Sequence, residues 1–333
     1  MITAKGIFAA LVLPVCAAIS SGAAAQSQPR AILTKTDVVY GTGQIHASHD
    51  AQSRPLRLDA YLPSSTKNGA APKPAIILAF GGAYHRGGKG DYQFSEDGAS
   101  DSSMADYCMA FAQRGFACFS IDYRLTQEDP APPKGLDQSM LMPKALLNSP
   151  IVTGRVELVR KRMNLPPLND QSRQQLWNAT FAAVEDMESA LGFIRQNADD
   201  LNVDPDRIAL GGFSAGAMTA INLAYGKGAD VQAVISLSGT SWGYDLNKTL
   251  NKDAPPLLLI AGQWDLQGIQ MGSAGIAKLF KSRGVSSTEA WVPGFGHFYP
   301  KEAPSLSAGF DKSAVIDRLT KFLQREMPEA SEN

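Results

Sequence analysis

Gly212-Phe213-Ser214-Ala215-Gly216 follows a short apolar run, Ile208 to Gly211, and opens a helical stretch. A serine on so tight a strand-to-helix turn is held in a strained backbone conformation. Side chains two positions away on either side would clash, and glycine at 212 and 216 avoids this. The turn also leaves the Ala215 N–H at a helix N-terminus, where it can donate to a developing oxyanion. Those are the needs of a nucleophilic serine attacking a carbonyl. Taken without its context, the pentapeptide also reads as an ordinary glycine-rich turn with a spare serine.

A serine hydroxyl needs a base to take its proton. The chain has four histidines. His46 and His49 precede the regular part of the pattern and read as surface residues. His85 follows a glycine pair early in the chain and reads as a pocket or structural residue. His297 lies in Pro293-Gly294-Phe295-Gly296-His297-Phe298, a glycine-flanked loop after the last expected strand, and is the expected base. A carboxylate must hold its tautomer and stabilise the imidazolium. Asp265, just beyond the apolar strand Leu257 to Ala261, is expected there, with Asp245 on the preceding loop as competitor. The second oxyanion donor is expected from Phe80-Gly81-Gly82-Ala83, through the backbone N–H of Gly82 or Ala83. A purely structural glycine turn is the alternative there. Tyr84, His85, Trp264 and Phe298 flank these positions and are candidates for the substrate pocket, as is Tyr299, although packing explains such aromatics equally well.

Positioning these groups requires a succession of buried strands and helices. Ile32 to Tyr40 and Pro55 to Leu62 read as strands, the second alternating. Ala75 to Phe80 and Phe116 to Ile121 are continuous apolar runs that suit strands buried on both faces, with a helix carrying Met104, Tyr107, Cys108 and Phe111 between them. Residues 125–171 loosen: seven prolines fall there, with a short helical candidate at Val156 to Met163. Such a stretch reads as a lid-like insertion over the carboxyl edge of the sheet. Its basic cluster, Arg155, Arg160, Lys161 and Arg162, reads as a solvated helix face, with contact to an acidic substrate as the other reading. A long helix from Gln174 to Gln196 follows. Strands at Ile208 to Gly211, Val231 to Leu237, Leu257 to Ala261 and Glu289 to Val292 then alternate with helices, and Lys312 to Arg325 closes the chain as a helix. The pattern predicts one domain with a mostly parallel sheet covered on both faces.

Lys5, the apolar Ile7 to Ile19 and Ala23-Ala24-Ala25 before Gln26 read as a signal peptide over residues 1–25, leaving 26–333 exported to the periplasm or beyond. Cleavage would remove Cys16 and leave Cys108 and Cys118, in a compartment that permits a bridge. Cys108 lies about six helical residues before Gly115 and Cys118 about three strand residues after it, so both sit ~10 Å from the turn. A disulfide and two buried thiols both fit. The formal net charge of -1 provides no field for nucleic acid or a membrane surface, and no later segment is long enough to span a bilayer. No spacing of His, Cys and carboxylates suggests a metal, and no cofactor is implied.

Together these residues resemble the α/β-hydrolase superfamily, within it the esterases that carry His-Gly-Gly-x, here Phe80-Gly81-Gly82-Ala83. Asp122-Tyr123-Arg124-Leu125 and Val203-Asp204-Pro205-Asp206-Arg207-Ile208 leading into Ser214-Ala215-Gly216 are similar to family stretches, and the order Ser214, Asp265, His297 matches the family's. The resemblance implies the α/β-hydrolase fold, a structural place for Asp122 and Arg124, and hydrolysis of a small or polymeric carboxylic ester through an acyl-enzyme on Ser214. A serine peptidase of prolyl-oligopeptidase-like type is the nearest alternative, and a catalytically silent binding protein on the same fold is another.

Overall fold

In the computed structural model, residues 31–64, 71–131 and 133–328 are described. The proposed signal peptide, residues 1–25, lies outside them. Ten strands form one sheet: β1 Ile32–Ile45, β2 Gln52–Pro63, β3 Lys73–Ala79, β4 Ala117–Ile121, β5 Val203–Phe213, β6 Ala233–Leu237, β7 Leu257–Gly262, β8 Ser287–Val292, β9 Pro304–Ser307 and β10 Lys312–Ala314. Their spatial order is β1-β2-β4-β3-β5-β6-β7-β8-β9-β10. The six strands from β4 to β8 are parallel neighbours, and antiparallel pairs close both edges.

The apolar runs become the middle of this sheet because both faces are covered. Ala75 to Ala79 are buried, and α1 (Met104–Gln113) and α3 (Asp170–Gln196) both pack on β3. The helices α4 (Ala215–Ile221) with α3, and α6 (Val315–Glu326) with α1, complete two layers around it. Local chemistry sets the helix starts. Ser103 and Asp106 cap α1 reciprocally, as Asn169 and Ser172 cap α3, while Pro150 occupies the first turn of α2 (Pro150–Arg162).

Register does the positioning. Ala79 pairs with both Ile121 and Gly212, Phe213 with Leu237, Leu237 with Ile260, and Gly262 with Val292. The parallel strands therefore end at one rim, and the loops that leave them converge there.

Several elements depart from the sequence reading; α2, expected from Val156, already begins at Pro150. The helix expected at Lys312 starts at Val315, because Lys312 to Ala314 pair with Pro304 to Leu306 as edge strands. The sequence pattern predicts a helix over Ile276 to Arg283, but α5 spans Gln267–Arg283, despite Gly268, Gly272 and Gly275, which weaken a helical signal. At Gly272 there is a steric reason: a Cβ would collide with the Thr240 side chain. A small hairpin, Ser95–Glu96 with Ala99–Ser100, was hidden in polar sequence.

Cys108 on α1 and Cys118 on β4 are joined by a disulfide, with Cα atoms 5.0 Å apart. Beyond β4, the buried Arg124 guanidinium meets both oxygens of buried Asp186 on α3, with contacts of 2.7 to 3.1 Å. Asp186 also accepts the Arg124 backbone N–H at 2.8 Å. Burial raises the Asp186 carboxyl to about 6, against the hydrogen bonds and charge of Arg124.

Cysteine-to-serine exchange at 108 and 118 is expected to lower stability by about 2–3 kcal/mol, the loop-closure value for so short a ring, read from urea unfolding midpoints. Arg124→Ala leaves a buried carboxylate unpaired and is expected to cost about 3–5 kcal/mol by the same measurement, with Asp186→Asn milder.

Candidate active site

Ser214 stands between β5 and α4 with φ 52° and ψ -113°, a backbone conformation that costs energy in a non-glycine residue. The turn is wedged against the end of β3. A Cβ at Gly216 would penetrate the Ala79 carbonyl and press on that of Phe80; one at Gly212 would meet the Ala79 oxygen from the other side. Both glycines are thus required by close backbone approach, as their spacing around the serine predicts.

His297 Nε2 lies 3.0 Å from Ser214 Oγ, and His297 Nδ1 lies 2.7 Å from Asp265 Oδ1. An ionised carboxylate can only accept, so Nδ1 carries the proton and the bare Nε2 faces the serine hydroxyl, which donates to it. Asp265 is fixed by more than the ring. Its Oδ1 accepts the Leu266 N–H at 2.7 Å, and its Oδ2 accepts the Ser238 hydroxyl at 2.6 Å and the Gly262 N–H at 3.2 Å. Tyr299, buried at the back, donates to the Ile260 carbonyl at 3.1 Å with its oxygen 3.1 Å from Ser238 Oγ. Burial pushes the Tyr299 phenol far up, so it remains a neutral donor.

The loop after β3 also reaches this rim. Gly82, Ala83 and Tyr84 all adopt positive φ, and a Cβ at Gly82 would overlap the Arg86 carbonyl. Among the described residues the Ala83 N–H donates to no backbone or side-chain acceptor in this loop, and Ala83, Ser214 and Ala215 line one cavity. The same holds for the Gly82 N–H, and Gly82 also adjoins Ser214, so both expected donors stay open beside Ala215.

That cavity has a volume of about 430 Å³. It opens beside Ser214 and runs between the 125–171 insertion, through Met142, Leu146, Leu147, Ile151 and Val156, and the start of α5. A much smaller space, about 10 Å³ and so room for one water, also adjoins Ser214, between Gly82, Arg86, Arg155, Phe213, His297 and Phe298.

Not every expected residue joins the site. Tyr84 lines the cavity and Phe298 the small space, but His85 and Trp264 line neither. His85 is buried behind the oxyanion loop, where Nδ1–H donates to the Ala83 carbonyl at 2.8 Å and Nε2 accepts from Arg160 at 3.1 Å. Burial, with the neighbouring guanidinium, lowers its pKa to about 4 and keeps it neutral. Trp264 is 69% exposed on the outer rim, and only its backbone contributes, through an N–H to the Phe295 carbonyl at 2.9 Å. Asp245, the rival carboxylate, caps the short helix Leu246–Thr249 instead. His46 and His49 are exposed. Ser238 was not anticipated; a Ser-Gly pair ending a buried strand was its only trace in the sequence. Among the described residues no three His, Cys, Asp or Glu side chains cluster as a metal would need, and no helix is long and apolar enough to cross a membrane.

Comparison with known proteins agrees with this architecture. The sequence model of the BD-FAE family matches residues 171–232, a span that holds α3, β5 and the Ser214 turn. No curated protein sequence matches the chain. Among solved structures, a truncated carbohydrate esterase from gut microbiota superposes with a TM-score of 0.56 at 18% identity, covering 91% of this chain and 99% of its own. Esterase 2 of Thermogutta terrifontis, phosphoramylated by tabun, gives a TM-score of 0.54 at 15% identity, covering 90% of this chain and 97% of its own. At such identities the likeness is one of fold, and the chain has the α/β-hydrolase fold.

Proposed function

We propose that this protein is a serine hydrolase that cleaves carboxylic esters through an acyl-enzyme on Ser214. The observation that carries the reading is the hydrogen-bonded series Ser214–His297–Asp265, with Gly82, Ala83 and Ala215 lining the spaces beside the serine. The esterases among the fold relatives support it.

In the first half, the Ser214 oxygen attacks the ester carbonyl as its proton passes to His297 Nε2, and the carbonyl oxygen becomes an oxyanion at the Ala215 N–H and that of Gly82 or Ala83. Asp265 keeps the imidazolium oriented without taking its proton. Collapse of the tetrahedral intermediate breaks the carbon–oxygen bond of the alcohol, which takes the proton from His297 and departs. Water then gives a proton to the same nitrogen and attacks the acyl-enzyme, and that proton returns to Ser214 as the acid leaves. The leaving alcohol must lie on the His297 side, where it can take the proton from Nε2. The large cavity, which His297 does not line, receives the acyl group. Its apolar walls favour an acyl group of several carbons.

The disulfide is in keeping with export, which we also propose; it is the kind of bridge that persists outside a reducing cytosol.

A p-nitrophenyl ester series from acetate to decanoate, assayed with wild type and Ser214→Ala, tests the reading. Turnover is expected to peak at intermediate chain length and to fall by at least about 10³-fold in the variant. A folded wild type inert on every ester, or a variant as active as wild type, would refute it. His85 supplies a pH expectation. Its folded pKa is depressed to about 4, so its contribution to stability is full above the ordinary histidine pKa and is lost as pH falls through 4. Melting curves between pH 7 and pH 4 should therefore drop less steeply for His85→Gln than for wild type.

A further inference from the structure

Ser238 directly follows β6 with φ 49°, a left-handed backbone that glycine adopts freely and serine only at a cost. Its neighbours enforce the turn. The Ser238 N–H donates to the Ile260 carbonyl at 2.7 Å, and a Cβ on the next residue, Gly239, would collide with the side chains of Ala217 and Ser236. Ser238 itself is wholly buried. A side chain held under strain in a buried position points to a task for that side chain, and here it can only be the hydroxyl.

The hydroxyl stands where three groups meet. Asp265 Oδ2 lies 2.6 Å away, the Tyr299 oxygen 3.1 Å and the His297 carbonyl 3.4 Å. Asp265 belongs to the loop after β7, and His297 and Tyr299 belong to the loop after β8, so one side chain from the end of β6 touches both. A hydroxyl has a single hydrogen to give, and the carboxylate, charged and nearest, takes it. Without Ser238, Oδ2 would keep only the Gly262 N–H at 3.2 Å, while Oδ1 holds the Leu266 N–H and His297, both at 2.7 Å. The Ser238 bond therefore fixes the rotation of the carboxylate: it holds Oδ2 at the back and leaves Oδ1 to the imidazole.

We propose that Ser238 is a positioning residue for the reaction. Its hydroxyl keeps Asp265 Oδ1 on His297 Nδ1–H, and the ring so held keeps Nε2 on Ser214. This rests on the reading of Ser214 as the nucleophile and adds a residue to the site. No proton passes through Ser238, and it lines neither of the spaces beside Ser214. Its loss should therefore slow turnover without weakening the binding of substrate.

The test compares wild type with Ser238→Ala and Ser238→Gly on p-nitrophenyl butyrate. Both variants remove the hydroxyl, and glycine also relieves the backbone, so Ser238→Gly is expected to melt no lower than Ser238→Ala. In both, kcat is expected to fall about tenfold to a hundredfold with KM changed less than about twofold, because a misplaced base slows chemistry and not binding. The far-downfield proton resonance of His297 Nδ1–H, assigned by its absence in His297→Gln, should shift or broaden in Ser238→Ala, a change that a loss of stability alone does not produce. An unchanged kcat in folded Ser238→Ala, a loss seen only in KM, or failure of both variants to fold would overturn the proposal. The esterase reading would then stand as long as wild type turns over and Ser214→Ala does not. A wild type inert on every p-nitrophenyl ester would overturn that reading, and this proposal with it.

Discussion

The site depends on how closely the Ser214 turn approaches the end of β3. Two glycines let α4 begin almost on the Ala79 and Phe80 carbonyls, and the register of β3 with β5 brings Ala79 opposite Gly212 at that point. From this contact follow the positive φ of Ser214, the aim of its hydroxyl, and the short distance between the Ala215 N–H and the loop that leaves β3. A methyl group at either glycine would push the helix from the strand and draw the Ala215 N–H away from the loop that leaves β3. The strain at Ser214 persists because strands on both sides hold it: its N–H donates to the Leu237 carbonyl at 2.8 Å, and β6 is itself held by β7.

A second constraint is the isolation of Asp265 from water. A carboxylate that is 6% exposed is tolerable only if its lone pairs are filled, and four donors fill them: His297, Ser238 and the N–H groups of Gly262 and Leu266. Ser238 connects the acid to β6, and Tyr299 connects the histidine loop to β7 through the Ile260 carbonyl. The acid and base thus come from separate strand ends yet belong to one hydrogen-bonded unit. Movement of either loop would break bonds made by the other.

What could be seen in the sequence followed from short-range constraints. Glycine spacing around Ser214, apolar runs of strand length and one carboxylate at a strand end pointed to the parallel sheet and to Ser214, Asp265 and His297 as residues that meet, because each is dictated by neighbours in the chain. The edge strands at 304–314 escaped, since their pairing is with each other and β8 and their prolines and serines suggest turns. Ser238 escaped because its value lies in a contact with a residue 27 positions away. Trp264 and His85 were misplaced for a related reason. Adjacency in sequence to a catalytic residue leaves open which way a side chain points, and tertiary packing sent one outward and the other behind its loop.

The insertion explains why the arginines were legible as a group and not in their role. On a helix taken alone, Arg155 and Arg162 are charges that would be solvated. Docked over the strand ends, α2 turns Arg155 toward Phe298 and Arg160 toward His85, and the hairpin at Ser95–Ser100 supplies Glu96 as the common counter-ion of Arg155 and Arg162. One helix then lines the large cavity beside Ser214 through Ile151 and Val156, holds His85 behind the loop after β3 through Arg160 and borders the small space beside His297 through Arg155. An element that touches all three parts of the site cannot vary in position without altering each of them. The shape of the spaces beside Ser214 therefore depends on how α2 is anchored, while the Ser214–His297–Asp265 series rests on the strand ends beneath it.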